Sequence, residues 1–160
     1  MKTRIIAAVF ALAALAGCDH NPFAAPEGLV GTWQSDTWTA TFPIPSGATP
    51  GTMREFWSLA PAGTYSRHTE FWTAAGAAYT TYVETGTWGT EGDELVLTAL
   101  MAAENPQPLS AQPLEPRLIK PRVMRSVYAV AGTELTLSPP CSGYAICDGP
   151  SRVLHRVLEN

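Results

Sequence analysis

Apolar and polar residues alternate along this chain with the period of β-strands. Leu95, Leu97 and Ala99 occupy every second position of one segment, and Leu135 and Leu137 do so in another. Because successive side chains of a strand point to opposite faces, this period of two is typical of a sheet with one buried face. Helical spacing is almost absent beyond the first 28 residues. The pattern therefore predicts an all-β domain.

Glycine-rich turns divide the domain into about eight short strands. Turn sequences such as Ala60–Gly63, Thr90–Asp93 and Ala131–Gly132 separate the alternating segments. The predicted strands are residues 31–42, 53–60, 63–73, 77–89, 93–101, 122–131, 133–138 and 150–158. Strands joined by hairpins without crossover helices most economically close into an antiparallel up-and-down barrel, which removes the exposed edges. A β-sandwich is the alternative.

Two proline-rich segments interrupt the strands. Pro43–Gly51 contains three prolines, and Asn105–Pro121 contains five. Proline lacks the backbone N–H that a sheet ladder requires, so both segments are predicted to be loops. A loop as long as the second is usually either functional or disordered, and the sequence leaves both open.

The beginning of the chain has the layout of a secretory signal peptide. Lys2 and Arg4 precede a short apolar run, which ends in the small residues before Cys18. A membrane-spanning helix needs about 20 apolar residues, and this run is much shorter. The segment Leu15-Ala16-Gly17-Cys18 resembles the lipobox of bacterial lipoproteins.

The resemblance to a lipobox implies cleavage between Gly17 and Cys18 and attachment of lipid to the Cys18 thiol. Residues 1–17 would then be a cleaved signal helix, and residues 18–28, which contain two prolines, a flexible lipidated tether. Two acyl chains suffice for stable membrane anchoring. The implied location is the bacterial cell envelope, with the domain on the periplasmic face. Asp19 resembles a signal for inner-membrane retention in enteric bacteria, but the choice between inner and outer membrane stays open.

Charge argues against nucleic-acid partners. Loss of residues 1–17 removes two of the 10 basic residues and none of the 14 acidic ones, which leaves a net charge of −6. A modestly acidic chain without a basic run is not suited to nucleic acid or to electrostatic docking on anionic lipid. Attachment to the membrane is therefore expected through the lipid alone.

Cys141 and Cys147 remain as an even pair once Cys18 is assigned to the lipid. In an oxidising compartment such a pair predicts a structural disulfide. A metal pair and a redox pair are the alternatives. Neither a further cysteine nor a nearby histidine completes a zinc set, and the spacing is not Cys-x-x-Cys.

Three short motifs resemble those of lipocalins and other calycins. Gly31-Thr32-Trp33 resembles the Gly-x-Trp opening of these proteins, and Gly86–Trp88 with Gly92–Thr98 resembles the middle hairpin of small bacterial lipocalin-like lipoproteins. The resemblance implies a lipocalin-like barrel over residues 29–160. It also implies that Trp33 plugs the closed end, with Arg152 or Arg156 from the last strand packed across it.

Aromatic residues on successive strands are the candidates for a binding site. Trp57, Trp72, Tyr82 and Trp88 can line an apolar cavity, although they can equally form the core. The first hypothesis is a membrane-anchored binding protein that holds a small hydrophobic ligand inside the barrel. The alternative is a periplasmic interaction module, an inhibitor or accessory subunit, with a filled barrel that acts through the 105–121 loop.

Sequence motifs for catalysis or metal binding are weak in this chain. His68 and Glu70 are two residues apart and project from one face of a strand, where a metal pair, an acid–base pair or an ordinary solvated surface is possible. The chain lacks a Gly-x-Ser-x-Gly turn, a His-Glu-x-x-His motif and a phosphate-binding glycine loop. We therefore expect neither an enzyme nor a bound metal or cofactor, with a hydrolase using His68 and Glu70 as the third hypothesis.

Overall fold

The described part of the chain consists of antiparallel β-strands and turns, without a helix. The computed structural model describes residue 26 and residues 28–44, 47–105, 114–140 and 150–158. Its strands are β1 (Gly31–Ser35), β2 (Trp38–Ile44), β3 (Gly47–Leu59), β4 (Thr64–Thr73), β5 (Ala78–Glu91), β6 (Glu94–Glu104), β7 (Arg117–Ala131), β8 (Glu134–Ser138) and β9 (Arg152–Arg156).

Eight of the strands close into a barrel. From β3 to β9 each strand pairs with the next one along the chain, and β1 pairs with both β9 and β3. Strand β2 is an additional strand that pairs with β3. The predicted all-β, antiparallel up-and-down barrel is confirmed.

The first predicted strand is divided in two. Residues 36 and 37 separate β1 from β2, and both strands lie against β3. Strand β1 pairs with the end of β3, from Phe56 to Leu59, whereas β2 pairs with its beginning, from Gly47 to Met53. The two strands therefore form one interrupted strand, at the position of the first predicted strand.

The prediction that Pro43–Gly51 is a loop is wrong. Strands β2 and β3 extend into this segment and pair with each other there, with Pro43 opposite Ala48 and Pro50 opposite Thr41. The pairing of β3 with β4 begins only at Gly51, so Pro50 lies beyond the end of β4. Proline is tolerated on such edges because its missing N–H would have no partner in the ladder.

The predicted loop at Asn105–Pro121 is partly wrong. Strand β7 already begins at Arg117, and residues 106–113 lie outside the described part. The register of β7 against β6 shifts between Met101, which pairs with Leu118, and Ala99, which pairs with Arg122. Pro121 lies at this irregularity, and bulges are among the few places where a strand accepts proline.

The apolar core occupies one end of the barrel. The hairpins β3–β4, β5–β6 and β7–β8 all turn at this end. The buried core residues there and along the adjoining wall are Leu29, Trp33, Trp57, Leu59, Tyr65, Trp88, Leu95, Leu97, Leu135, Leu137 and Leu154. The alternation of leucines in β6 and β8 therefore does mark the inner face.

Trp33 closes this end and ties it to the chain that enters the barrel. Its side chain is fully buried, and its indole Nε1–H donates to the carbonyl oxygen of Leu29 at 2.8 Å. The guanidinium carbon of Arg156 lies 4.4 Å from the centre of the Trp33 ring, and Arg156 donates to the carbonyls of Val30 and Gly28. Gly31 leaves room for it, because a Cβ there would lie 2.7 Å from Arg156 Nη1.

We expect Trp33→Ala to lower the free energy of unfolding by about 3–5 kcal/mol, since it leaves a large cavity at the closed end. Denaturation in urea measures the change. Trp38→Ala is the matched control, because Trp38 is 41% exposed, and it should change stability by about 0.5 kcal/mol or less. Equal effects of the two substitutions would contradict the plugging role of Trp33.

Candidate functional site

A buried carboxylate organises the middle of the barrel. Glu84 of β5 is fully buried and accepts hydrogen bonds from the hydroxyls of Tyr65, at 2.8 Å, and Tyr82. Arg122 Nη2 of β7 also donates to it, and Arg67 Nη2 of β4 lies 3.8 Å from its Oε1. We call these five residues the Glu84 cluster.

Glu84 is held in its ionised form. Burial by itself raises the pKa of this carboxyl group, but the hydrogen bond from Tyr82, the charge of Arg67 and the hydrogen bonds from Tyr65 and Arg122 together lower it below its ordinary value of 4.5. Burial and contact with the Glu84 charge raise the pKa of both tyrosines, so they remain neutral donors. The cluster, with one carboxylate and two guanidinium groups, carries a net positive charge.

A first cavity of about 440 Å³ opens beside the cluster. Its apolar lining is formed by Trp57, Leu97, Met124 and Leu137, which come from four different strands. The polar lining includes Arg67, Arg125, Arg152, Ser126 and Ser138, and Pro139, Pro140 and Pro150 complete the wall. The cavity thus combines an aromatic and aliphatic surface with several guanidinium groups.

A second cavity of about 320 Å³ lies across Arg67 from the first. Phe42, Met53 and Tyr82 contribute its apolar surface. Its charged lining is mixed, with Glu55 and Glu104 beside Arg67 and Arg122. Arg67 is therefore common to the two cavities, and it separates them by contacting both the Trp57 ring, at 5.3 Å, and the Tyr82 ring, at 5.0 Å.

Two of the four predicted ligand-lining aromatics line a cavity. Trp57 lies in the wall of the first cavity, and Tyr82 in that of the second. Trp88 instead packs in the core at the closed end, where its Nε1–H donates to the Ala60 carbonyl at 2.9 Å. The prediction for Trp88 is wrong because this part of β5 lies at the closed end of the barrel, away from the two cavities.

The prediction that Trp72 lines the interior is also wrong. Trp72 follows the buried Phe71 in β4, so it projects from the opposite, outer face of the sheet. There the guanidinium carbon of Arg54 lies 4.6 Å from the centre of its ring. The sequence alone did not fix the inward face of β4, because Tyr65 and Phe71 alternate in step with Arg67.

Of the two arginines predicted to pack across Trp33, only Arg156 does so. Arg152 lies nearer the cavities, where its Nη1 donates to both carboxylate oxygens of Glu55 at 3.2 and 3.0 Å. The two residues are four apart in an extended strand, which places them roughly 13 Å from each other along the barrel wall. Arg156 is the one level with Trp33 in the register of β1 against β9.

His68 and Glu70 do share a face, and it is the outer one. His68 Nε2 lies 3.3 Å from Glu70 Oε1, and the imidazole stacks on Phe56 with ring centres 4.8 Å apart. The pair is away from both cavities. Among the described residues, no group of three histidine, cysteine or acidic side chains is placed to hold a metal.

Several predictions fall on residues outside the described part of the chain. These are the cleavage and lipidation residues Gly17 and Cys18 and the cysteine pair Cys141 and Cys147. Within the part that is described, no helix is long and apolar enough to cross a membrane.

Sequence reasoning missed Glu84, Arg67 and Arg122, the charged residues of the cluster. A signal was present, since Tyr82 and Glu84 are two apart in β5, as are Arg67 and Thr69 in β4, and each pair shares a face. Charged residues on an inward face are uncommon unless they are paired. Arg67 lies opposite Glu84 on the preceding strand, but Arg122 comes from β7, 38 residues further along the chain, and only the structure shows that the three meet.

No known protein-family model matches this chain, and a search of the curated proteins finds no similar sequence. Barrels of this architecture serve many unrelated functions, so function has to be argued from the cavities and their lining residues.

We expect Glu84→Gln to destabilise the protein by about 3 kcal/mol at neutral pH, since it leaves the two arginines without a carboxylate. The folded-state pKa of Glu84 is lowered, so its stabilising effect is present above the ordinary value of 4.5 and is lost as the pH falls through the folded-state pKa. The difference between wild type and variant should therefore shrink in acid.

Chemical denaturation between pH 3 and pH 8 measures this difference. Glu70→Gln is the matched control, because its partner His68 lies on the outer face, and it should change stability by about 0.5 kcal/mol or less. A Glu84→Gln penalty that stays constant across the acid range would argue against an ionised Glu84.

Proposed function

We propose that the chain is a membrane-anchored, lipocalin-like lipoprotein that binds a small hydrophobic ligand in its barrel. The first cavity is the observation that carries this proposal. Its volume of about 440 Å³ falls within the range of about 300–1,000 Å³ of small-molecule sites. Its apolar wall of Trp57, Leu97, Met124 and Leu137 provides the hydrophobic and aromatic surface of such sites, and the arginines and serines of the lining provide polar groups that can orient a ligand.

The distribution of the core supports binding over a purely filled barrel. Trp33 and Trp88 pack at the closed end, so that only Trp57 of the buried tryptophans reaches the first cavity. The interior is consequently apolar and packed at one end and open beside the Glu84 cluster. A ligand that enters from the opposite end would rest on Trp57 without displacing the core.

The proposed anchor rests on the sequence before the barrel. The basic start, the short apolar run and Leu15-Ala16-Gly17-Cys18 together supply the signal, and the next ten residues supply the tether. Leu29 and Trp33 fix the entry of the chain at the closed end of the barrel. The anchor would therefore attach on the closed side and leave the cavities facing away from the point of attachment.

Cys18→Ser should abolish lipid attachment, because serine lacks the thiol that accepts the diacylglycerol. In a bacterial host that processes lipoproteins, the wild-type protein should partition with the membrane fraction and show the mass of a lipidated fragment beginning at Cys18. The variant should lose both properties. Membrane association and mass that are unchanged in the variant would contradict the anchor.

Met124→Trp should weaken ligand binding by about tenfold or more, since the larger side chain fills part of the first cavity. The measurement is titration with a fluorescent fatty acid. Val123→Trp is the matched control, because its neighbouring position in β7 is 56% exposed, and it should bind like the wild type. Purified protein without co-extracted lipid and without any response to the probe would overturn the binding proposal.

A protein-interaction module remains the second candidate function, favoured by the exposure of β7. Leu118 is 83% exposed and Val123 is 56% exposed. In the described part of the chain, β8 pairs only with Val127–Ala131 of β7, so the first half of β7 has β6 as its neighbour on one side. Deletion of residues 106–116 tests this candidate, which fails if every partner captured by the intact protein still binds.

A further inference from the structure

The lining of the first cavity contains basic side chains but no acidic ones among the described residues. Three arginines line it, Arg67, Arg125 and Arg152. The second cavity differs, since two glutamates accompany its arginines. Arg125 and Arg152 are paired with glutamates outside this lining, so Arg67 supplies the excess positive charge next to the apolar wall.

Arg67 is the least neutralised of the three guanidinium groups. Its nearest carboxylate oxygen is Glu84 Oε1 at 3.8 Å, beyond hydrogen-bond distance. Glu84 already accepts hydrogen bonds from Tyr65, Tyr82 and Arg122. Arg67 Nε is buried and has no hydrogen-bond partner within the described residues. The side chain is only 12% exposed, so solvent does little to compensate its charge.

The other two arginines differ from Arg67 because each is bound to a carboxylate group. Arg125 binds Glu91 and Glu94, and Arg152 binds Glu55, in every case through Nη1. None of these three carboxylates lines the first cavity. Arg152 shares the inner face of β9 with the buried Leu154, and its Nη2 has no hydrogen-bond partner among the described residues, whereas Arg125 shares the outer face of β7 with the exposed Val123.

We propose that the first cavity binds an amphipathic anion, an apolar chain that ends in a carboxylate or phosphate group. The inference rests on the proposed binding function and specifies its ligand class. The chain would lie against Trp57, Leu97, Met124 and Leu137, and the anionic group would accept hydrogen bonds from Arg67 and Arg152. Guanidinium groups suit both carboxylate and phosphate because their N–H donors match the two oxygens.

The test compares three ligands with the same alkyl chain, dodecanoate, dodecyl phosphate and dodecanol, by calorimetric titration of the purified protein. We expect at least one of the anions to bind about tenfold more tightly than the alcohol, as hydrogen bonds to charged groups predict. The anion that binds more tightly identifies the preferred head group. Dodecanol that binds as tightly as both anions would overturn the inference while leaving the proposed function intact, and failure of all three ligands to bind would overturn both.

Arg67→Gln should weaken binding of the anion about tenfold and leave the affinity for dodecanol unchanged. Arg54→Gln is the matched control, because Arg54 lies on the outer face against Phe56 and Trp72 and should not affect any of the ligands. Arg67→Lys, which keeps the charge, should retain part of the anion preference.

Arg152→Gln provides a second variant in case Arg67→Gln does not fold. Arg152 lines the first cavity and is 52% exposed, so its loss should leave the barrel intact and weaken anion binding in the same direction by a smaller factor. An anion affinity that stays unchanged in both Arg67→Gln and Arg152→Gln would overturn the inference.

Discussion

Closure of the sheet by β1 is the constraint on which the rest of the structure depends. This strand has five residues, yet it pairs with β3 on one side and β9 on the other. Closure removes the exposed edges that an open antiparallel sheet would present. It also fixes Trp33 inside one end, where Leu29 and Arg156 hold it.

Unequal strand lengths give the barrel a packed end and an open end. Strands β1, β8 and β9 have five residues each, whereas those from β3 to β7 have 10 to 15. The short strands complete the wall around the apolar core, and the long ones continue past it. Beyond the core the interior contains the Glu84 cluster and the two cavities. Polar and apolar side chains therefore meet in this part of the barrel.

Sequence patterns predicted the elements well wherever one face of a strand is buried. The leucines of β6 and β8 alternate cleanly and lie on the inner face. The prolines were misleading, because Pro43, Pro50 and Pro121 lie at edges or irregularities where a missing N–H costs little. The prediction of cavity-lining aromatic residues was correct for two of the four. Alternation alone did not show which face of β4 turns inward, and Trp72 lies on the outer one.

The sequence by itself determined the class of the domain, its division into strands and the resemblance of the residues before it to a lipoprotein signal, because these depend on local order along the chain. Only the tertiary structure decided the site. Arg67, Glu84 and Arg122 come from three strands and are brought together by the register of the sheet and the closure of the barrel. A charge that looks like a solvated position in the sequence becomes buried when a partner from a distant strand neutralises it. Arg67 is the residue whose charge that register leaves only partly neutralised, beside the larger cavity.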